Sequence, residues 1–160
     1  MDLTDRIIGF LDAIGLPCRR GTIPDTTVVP GIFIENGGLV YDADKLAHPG
    51  DLLHEAGHLA VMAPERRARS RPDVGKYAAE EMMAIAWSYA ASVHLGLDPA
   101  VVFHEQGYRG QSASLIRTFT SNPHPFGVPM LRWLGMTDAY PAMIRWLNDG
   151  SNLEAAQALK

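Results

Sequence analysis

The sequence predicts an α+β domain in which helix dominates and a small β-hairpin precedes a buried helix at residues 51–62. Three observations carry this. Leu3, Ile7, Phe10, Leu11 and Ile14 recur at helical spacing and give the N-terminal segment one apolar face. Ile32-Phe33-Ile34 and Leu39-Val40-Tyr41 flank Asn36-Gly37-Gly38, residues that tolerate positive φ, so 31–42 reads as a hairpin. Beyond it, apolar runs of helical length alternate with proline and glycine breaks. With 160 residues, 47% of them hydrophobic, the chain can fill one core, and it reads as a single domain over 1–160.

The first helix should stop at Gly15, because Pro17 bars its continuation. Residues 16–30, with Pro24, Pro30 and several threonines, read as loop or edge strand. Asp51 is the expected N-cap of LLHEAGHLAVM, which ends before Pro64. ERRARSRPD (65–73) reads as a solvated connector, its four arginines lacking the interleaved aromatics of a nucleic-acid surface. The longest helix runs from Asp73 to Gly96 and is rich in alanine. Asp98-Pro99 restarts a short helix as cap and first residue. SASLIRTF, PMLRWLG and DAYPAMIRWLND supply three more, for five to seven in all. Trp87, Trp133 and Trp146 sit at amphipathic spacings and are expected in the core.

Charge and composition exclude several classes. A net charge of −4 lacks the electrostatic footprint of a nucleic-acid binder. No apolar stretch approaches a membrane span, and Asp2, Asp5 and Asp12 interrupt any secretory pattern at the start. Cys18 is the single cysteine, which rules out an internal disulfide and a thiolate metal cluster. A cytoplasmic protein is expected.

The chemistry sits in His54-Glu55-Ala56-Gly57-His58, an HExxH sequence. Histidines at i and i+4 project from one helical face, so both imidazoles can reach one ion. Glu55 lies beside the first ligand, where its carboxylate can hold and deprotonate a water. Zn2+ suits imidazole and carboxylate ligands and brings a water's pKa towards neutrality. Leu52, Leu53, Leu59, Ala60, Val61 and Met62 make the helix buried, an expensive place for two histidines and a glutamate without a task. Gly57 weakens the helix by about 1 kcal/mol relative to alanine, which points to close backbone packing there.

A catalytic zinc takes a third protein ligand, and Glu80, Glu81, His94, His104 and His124 are the candidates. Glu80-Glu81 follow a connector long enough to turn back against the motif helix. At least one of an adjacent acidic pair is expected to face solvent. Glu81 shares a face with Ala84, Ile85 and Ser88, residues that permit close helix packing, whereas Glu80 shares one with Tyr77, Met83, Ala84 and Trp87. His94 is explained by its place near a helix C-terminus, and His48 as a loop residue. His104 and Tyr108, after a short helix, are candidates to stabilise developing negative charge.

From these residues the chain resembles the gluzincin metallopeptidases, in which a glutamate on a second helix completes an HExxH zinc site. Over about residues 30–95 it is similar to the minimal zincin-like members and to the ImmA/IrrE-type bacterial proteins. Glu81-Met82-Met83-Ala84-Ile85-Ala86-Trp87 matches their glutamate, alanine and aromatic spacing, with Ile85 where asparagine is common. The metzincin extension is absent: Val61 and Pro64 stand at its glycine and histidine positions. The resemblance implies a zincin-like fold, a zinc ion on His54, His58 and Glu81, Glu55 as general base, and a peptide or protein substrate held along the hairpin edge at Gly31–Tyr41. The rival expectation is a zinc-binding regulatory or interaction protein with little turnover.

Overall fold

The computed structural model describes residues 1–71 and 77–152. Its described residues form six α-helices, two 3-10 turns and one three-stranded sheet, the α+β, helix-rich arrangement that the sequence predicts. Helix α1 (Leu3–Ile14) is capped by the Asp2 carboxylate on the Asp5 N–H and ends at Gly15, which takes a left-handed φ of 94°. It buries Ile7, Phe10 and Leu11. Strands β1 (Cys18–Arg20), β2 (Ile32–Glu35) and β3 (Gly38–Tyr41) follow in the order β1-β3-β2. β2 and β3 are the expected hairpin, antiparallel with Phe33 opposite Val40, and β1 joins β3 in parallel with Cys18 opposite Leu39. β3 is therefore interior, and the hairpin's outer edge is β2 alone.

Helix α2 (Asp51–Val61) carries HExxH and is buried along nearly its whole length. Its N-cap is Gly50 and not Asp51, which occupies the first helical turn and uses its carboxylate elsewhere. The reason is steric. A Cβ at Gly50 would lie 1.9 Å from the Val101 carbonyl oxygen, so only glycine lets the 3-10 turn at Pro99–Val101 cross the helix start. Helix α4 (Ala78–His94) packs along α2, and here the expectation from Gly57 is met: a Cβ there would stand 2.8 Å from the Ala84 carbonyl oxygen. The expected start of this helix at Asp73 lies outside the described residues, and Tyr77 is its N-cap.

Other expectations fail as well. The connector is not simply solvated loop, since Pro64–Ala68 forms α3. Arg67 donates from Nε to the Leu59 carbonyl at 3.0 Å and from Nη2 to the Met62 and Asn148 carbonyls, satisfying acceptors that the end of α2 leaves open. DAYPAMIRWLND is not a helix. Pro141 disfavours helical geometry in the residue before it, and the chain turns there through an Ala139–Ala142 bridge. It continues as a strap across α2 and α4: Asn148 N–H donates to the Ala60 carbonyl at 2.8 Å, and Trp87 Nε1–H to the Trp146 carbonyl at 2.9 Å. Asp98 caps the 3-10 turn at Pro99–Val101, and α5 (Ser112–Ser121) and α6 (Val128–Trp133) lie between that turn and the strap. Trp87 is fully buried and Trp146 packs against it, but Trp133 is 55% exposed, contrary to expectation. It lies on the outer side of the segment, between Leu131 and Leu134, which are the residues that turn into the core. No described helix is long and apolar enough to cross a membrane.

Two outcomes follow from this packing. Gly57→Ala should lower stability by about 1–3 kcal/mol in urea unfolding, because overpacking outweighs the helix-propensity gain of about 1 kcal/mol. A stabilised variant would mean that α2 and α4 separate without loss. Burial, with the Asp12 charge adding, pushes the Cys18 thiol up to about 12. Native protein should therefore react with iodoacetamide at pH 8 at least about 100-fold more slowly than urea-unfolded protein.

Candidate metal centre

The close approach at Gly57 and Ala84 decides what meets at the site. His54 and His58 leave α2 on one face, and their Nε2 atoms stand 3.3 Å apart. Glu81, in the first turn of α4, lies across from both. Its Oε1 is 3.3 Å from His54 Nε2 and its Oε2 is 2.8 Å from His58 Nε2. Glu55 is buried beside them, and one ligand atom each from His54, Glu55 and His58 falls within 4.8 Å of the others.

Three lone-pair donors turned on one point repel each other unless a cation stands between them. Two ligand atoms at about 2.0–2.1 Å from a tetrahedral zinc stand about 3.3–3.4 Å apart, which is the imidazole spacing found here. Two imidazoles and a carboxylate are a donor set that a divalent cation such as zinc accepts, although Glu81 Oε2 and His58 Nε2, 2.8 Å apart, stand at hydrogen-bond distance. Without a metal a proton takes the cation's place. Burial works against a charged His58, but Glu80 and Glu81 outweigh it and hold the imidazole up at about 9. Burial likewise opposes ionised Glu81, yet His54 and His58 keep its carboxyl well below the usual range. Burial raises the Glu55 carboxyl, with both histidines pulling the other way.

The backs of the two imidazoles are handled differently. The Tyr108 hydroxyl is 3.1 Å from His54 Nδ1, with the rings edge to face. When His54 presents a lone pair at Nε2, its Nδ1–H donates to the tyrosine oxygen, and the phenolic proton is left free for another acceptor. Burial, and then the charges of Asp51, Glu81 and Glu55, keep that phenol protonated. Tyr108 and Arg109 both take left-handed backbone, with φ of 59° and 52°. Two such non-glycine residues in succession, one of them against a candidate ligand, are a local strain that the surrounding packing must hold.

His104 does not touch His54, Glu55 or His58 through any hydrogen bond found among the described residues. Its Nε2 meets Asp51 Oδ1 at 2.6 Å, and its ring stacks on His48 with centroids 3.7 Å apart. His48 is thus a packed partner of His104 and more than a loop residue. His94 ends α4 and packs against Phe10 and Trp146. His124 is exposed in the loop after α5. Of the five candidates for a third ligand, Glu81 is the one brought between the histidines.

Of the two acids it is Glu81 whose side chain is partly open to solvent, and Glu80 that is withdrawn from it. Glu80 is buried, and Arg66 of α3 meets both of its oxygens. Sequence reasoning weighed Glu80 only as a ligand and Asp51 only as a cap, and passed over Arg66. Their signal was slight: an arginine-rich connector between the two site helices, and an acid three residues before His54.

Compared with known proteins, the chain matches no family model, no curated protein and no solved structure. The functional reading rests on the site itself. Glu81→Gln should weaken zinc binding about 10-fold or more in a chelator-competition titration, as expected when a ligand is lost. Unchanged affinity would remove Glu81 from the ligand set.

Proposed function

We propose that the protein is a zinc-dependent hydrolase of minimal gluzincin, zincin-like type, acting as a metallopeptidase on a peptide or protein. One observation carries the reading: the convergence of His54 Nε2, His58 Nε2 and the Glu81 carboxylate, with Glu55 buried alongside. His54, His58 and Glu81 would hold the ion. Zinc bound there supplies Lewis acidity to a substrate carbonyl and to the water that attacks it.

The remaining work falls to the chain's own residues. Glu55 is too close to both histidines to be idle, and its raised carboxyl makes it a stronger base than an exposed glutamate. It takes the proton of the attacking water as the oxygen bonds to the carbonyl carbon. It returns that proton to the leaving nitrogen as the carbon–nitrogen bond breaks. Tyr108 fixes the His54 ring from behind, and its phenol could meet developing negative charge only by leaving that contact. His104, oriented by Asp51, is the second candidate for that task. The outer edge of β2 is where an extended substrate would add a strand. A cytoplasmic setting fits the lone, buried, protonated thiol of Cys18.

Glu55→Gln is nearly isosteric and removes no proposed ligand. It should fold and bind zinc as the wild type does, yet cleave peptides about 10²-fold more slowly or worse. A digest of a broad peptide library, read by mass spectrometry, measures this whatever sequence the enzyme prefers. Equal cleavage by both proteins would sink the mechanism. Zinc binding with no cleavage by either would favour a metal-binding regulatory protein.

A further inference from the structure

Glu80 takes no part in the reaction described above, yet it is 5% exposed, a burial that an ionised carboxylate tolerates only when paired. On one side it is gripped by Arg66, whose Nη2 lies 3.2 Å from Oε1 and whose Nη1 contacts Oε2. On the other side its Oε1 stands 3.9 Å from His58 Nδ1. That nitrogen is buried and makes no hydrogen bond among the described residues. An imidazole that binds an ion through Nε2 must carry its proton on Nδ1, and a buried N–H without an acceptor is destabilising. The distance is beyond a hydrogen bond, but a shift of about 1 Å would make one.

We propose that Glu80 is the positioning residue of the metal centre. It accepts the Nδ1–H of His58 when that ring binds metal, while Arg66 holds the carboxylate in place and ionised. The inference rests on the metal-site reading above. It gives the two neighbouring glutamates of α4 opposite sides of one imidazole, Glu81 at Nε2 and Glu80 at Nδ1. Glu80 stands on the Nδ1 side of His58, away from the Nε2 that faces Glu81, so it is placed as a support and not as a ligand. The link also makes α3, and hence the connector between the two site helices, part of what fixes the ligand ring. A purely structural alternative is that Glu80 only pins Arg66 and α3 to α4.

The test compares full-length wild type, Glu80→Gln and Glu80→Met. Zinc affinity is measured by chelator competition, metal-free melting by circular dichroism, and the His58 ring by its imidazole 15N and Nδ1–H resonances with zinc bound. Glu80→Met should weaken zinc binding about 10-fold or more, and Glu80→Gln less, because its amide oxygen still accepts. Both should shift the Nδ1–H resonance of His58. If Glu80→Met does not fold, Glu80→Gln decides through the same resonance and a few-fold loss of affinity. Folded variants with wild-type zinc affinity and an unshifted His58 resonance would overturn the proposal, even if the metal-free melt falls. Wild-type protein that binds no zinc would overturn the metal-site reading, and the inference with it.

Discussion

The rest of the structure depends on how closely two helices can lie. α2 and α4 meet where Gly57 leaves no room for even a methyl group over the Ala84 backbone. His58 is the next residue along one helix, and Glu81 is three residues back along the other. The same contact that closes the core therefore sets the carboxylate against both imidazoles. Wider spacing would leave the two histidines facing a gap, and a register slip would turn Glu81 away from them. Core and site are thus two readings of one helix pair. Trp87, one turn beyond Ala84 and fully buried, shows how quickly the polar end of this seam becomes apolar.

Much of this was legible in the sequence because the signals were local. Helix α1 was written in its apolar spacing and its glycine stop, and the hairpin in Asn36-Gly37. The pairing of His54 with His58 needs only the pitch of a helix. Gly57 was informative because glycine inside a buried helix has to be explained by a neighbour. The preference for Glu81 came from the small or apolar residues on its face, and one of them, Ala84, does line the contact with α2. What was not legible depended on partners distant in the chain. Glu80 looked solvent-facing until Arg66 was seen against it. The segment at 138–149 has the amphipathic pattern of a helix, but Pro141 breaks it, and its backbone groups find partners on α2 and α4. Asp51 resembled a cap, and the crossing of Val101 over Gly50 was invisible in the sequence.

The ring orientations show a second kind of dependence. An imidazole has two nitrogens, and a site built only from what faces the ion leaves the other two unspecified. Here His54 is fixed from behind by Tyr108, on a turn held in strained left-handed backbone. His58 has the buried Glu80 behind it. The first support comes from the loop after the 3-10 turn at Pro99–Val101, the second from α4 and α3. Metal-facing geometry therefore draws on segments separated by dozens of residues, and changes in either can reach the site without touching a ligand.

On the metal-site reading, the pairing of Arg66 with Glu80 also bears on the valence the site would prefer. Three buried or half-buried carboxylates, Glu55, Glu80 and Glu81, surround the histidine pair. Arg66 neutralises one of them and leaves two negative charges in a region of low polarisability. An ion of charge two brings the cluster to neutrality. A monovalent cation leaves a residual negative charge away from water, and a trivalent one leaves a positive excess. On the metal-site reading proposed above, a preference for a dication would arise from the charge count of the surroundings with Glu55 ionised, before ligand softness or coordination geometry enters.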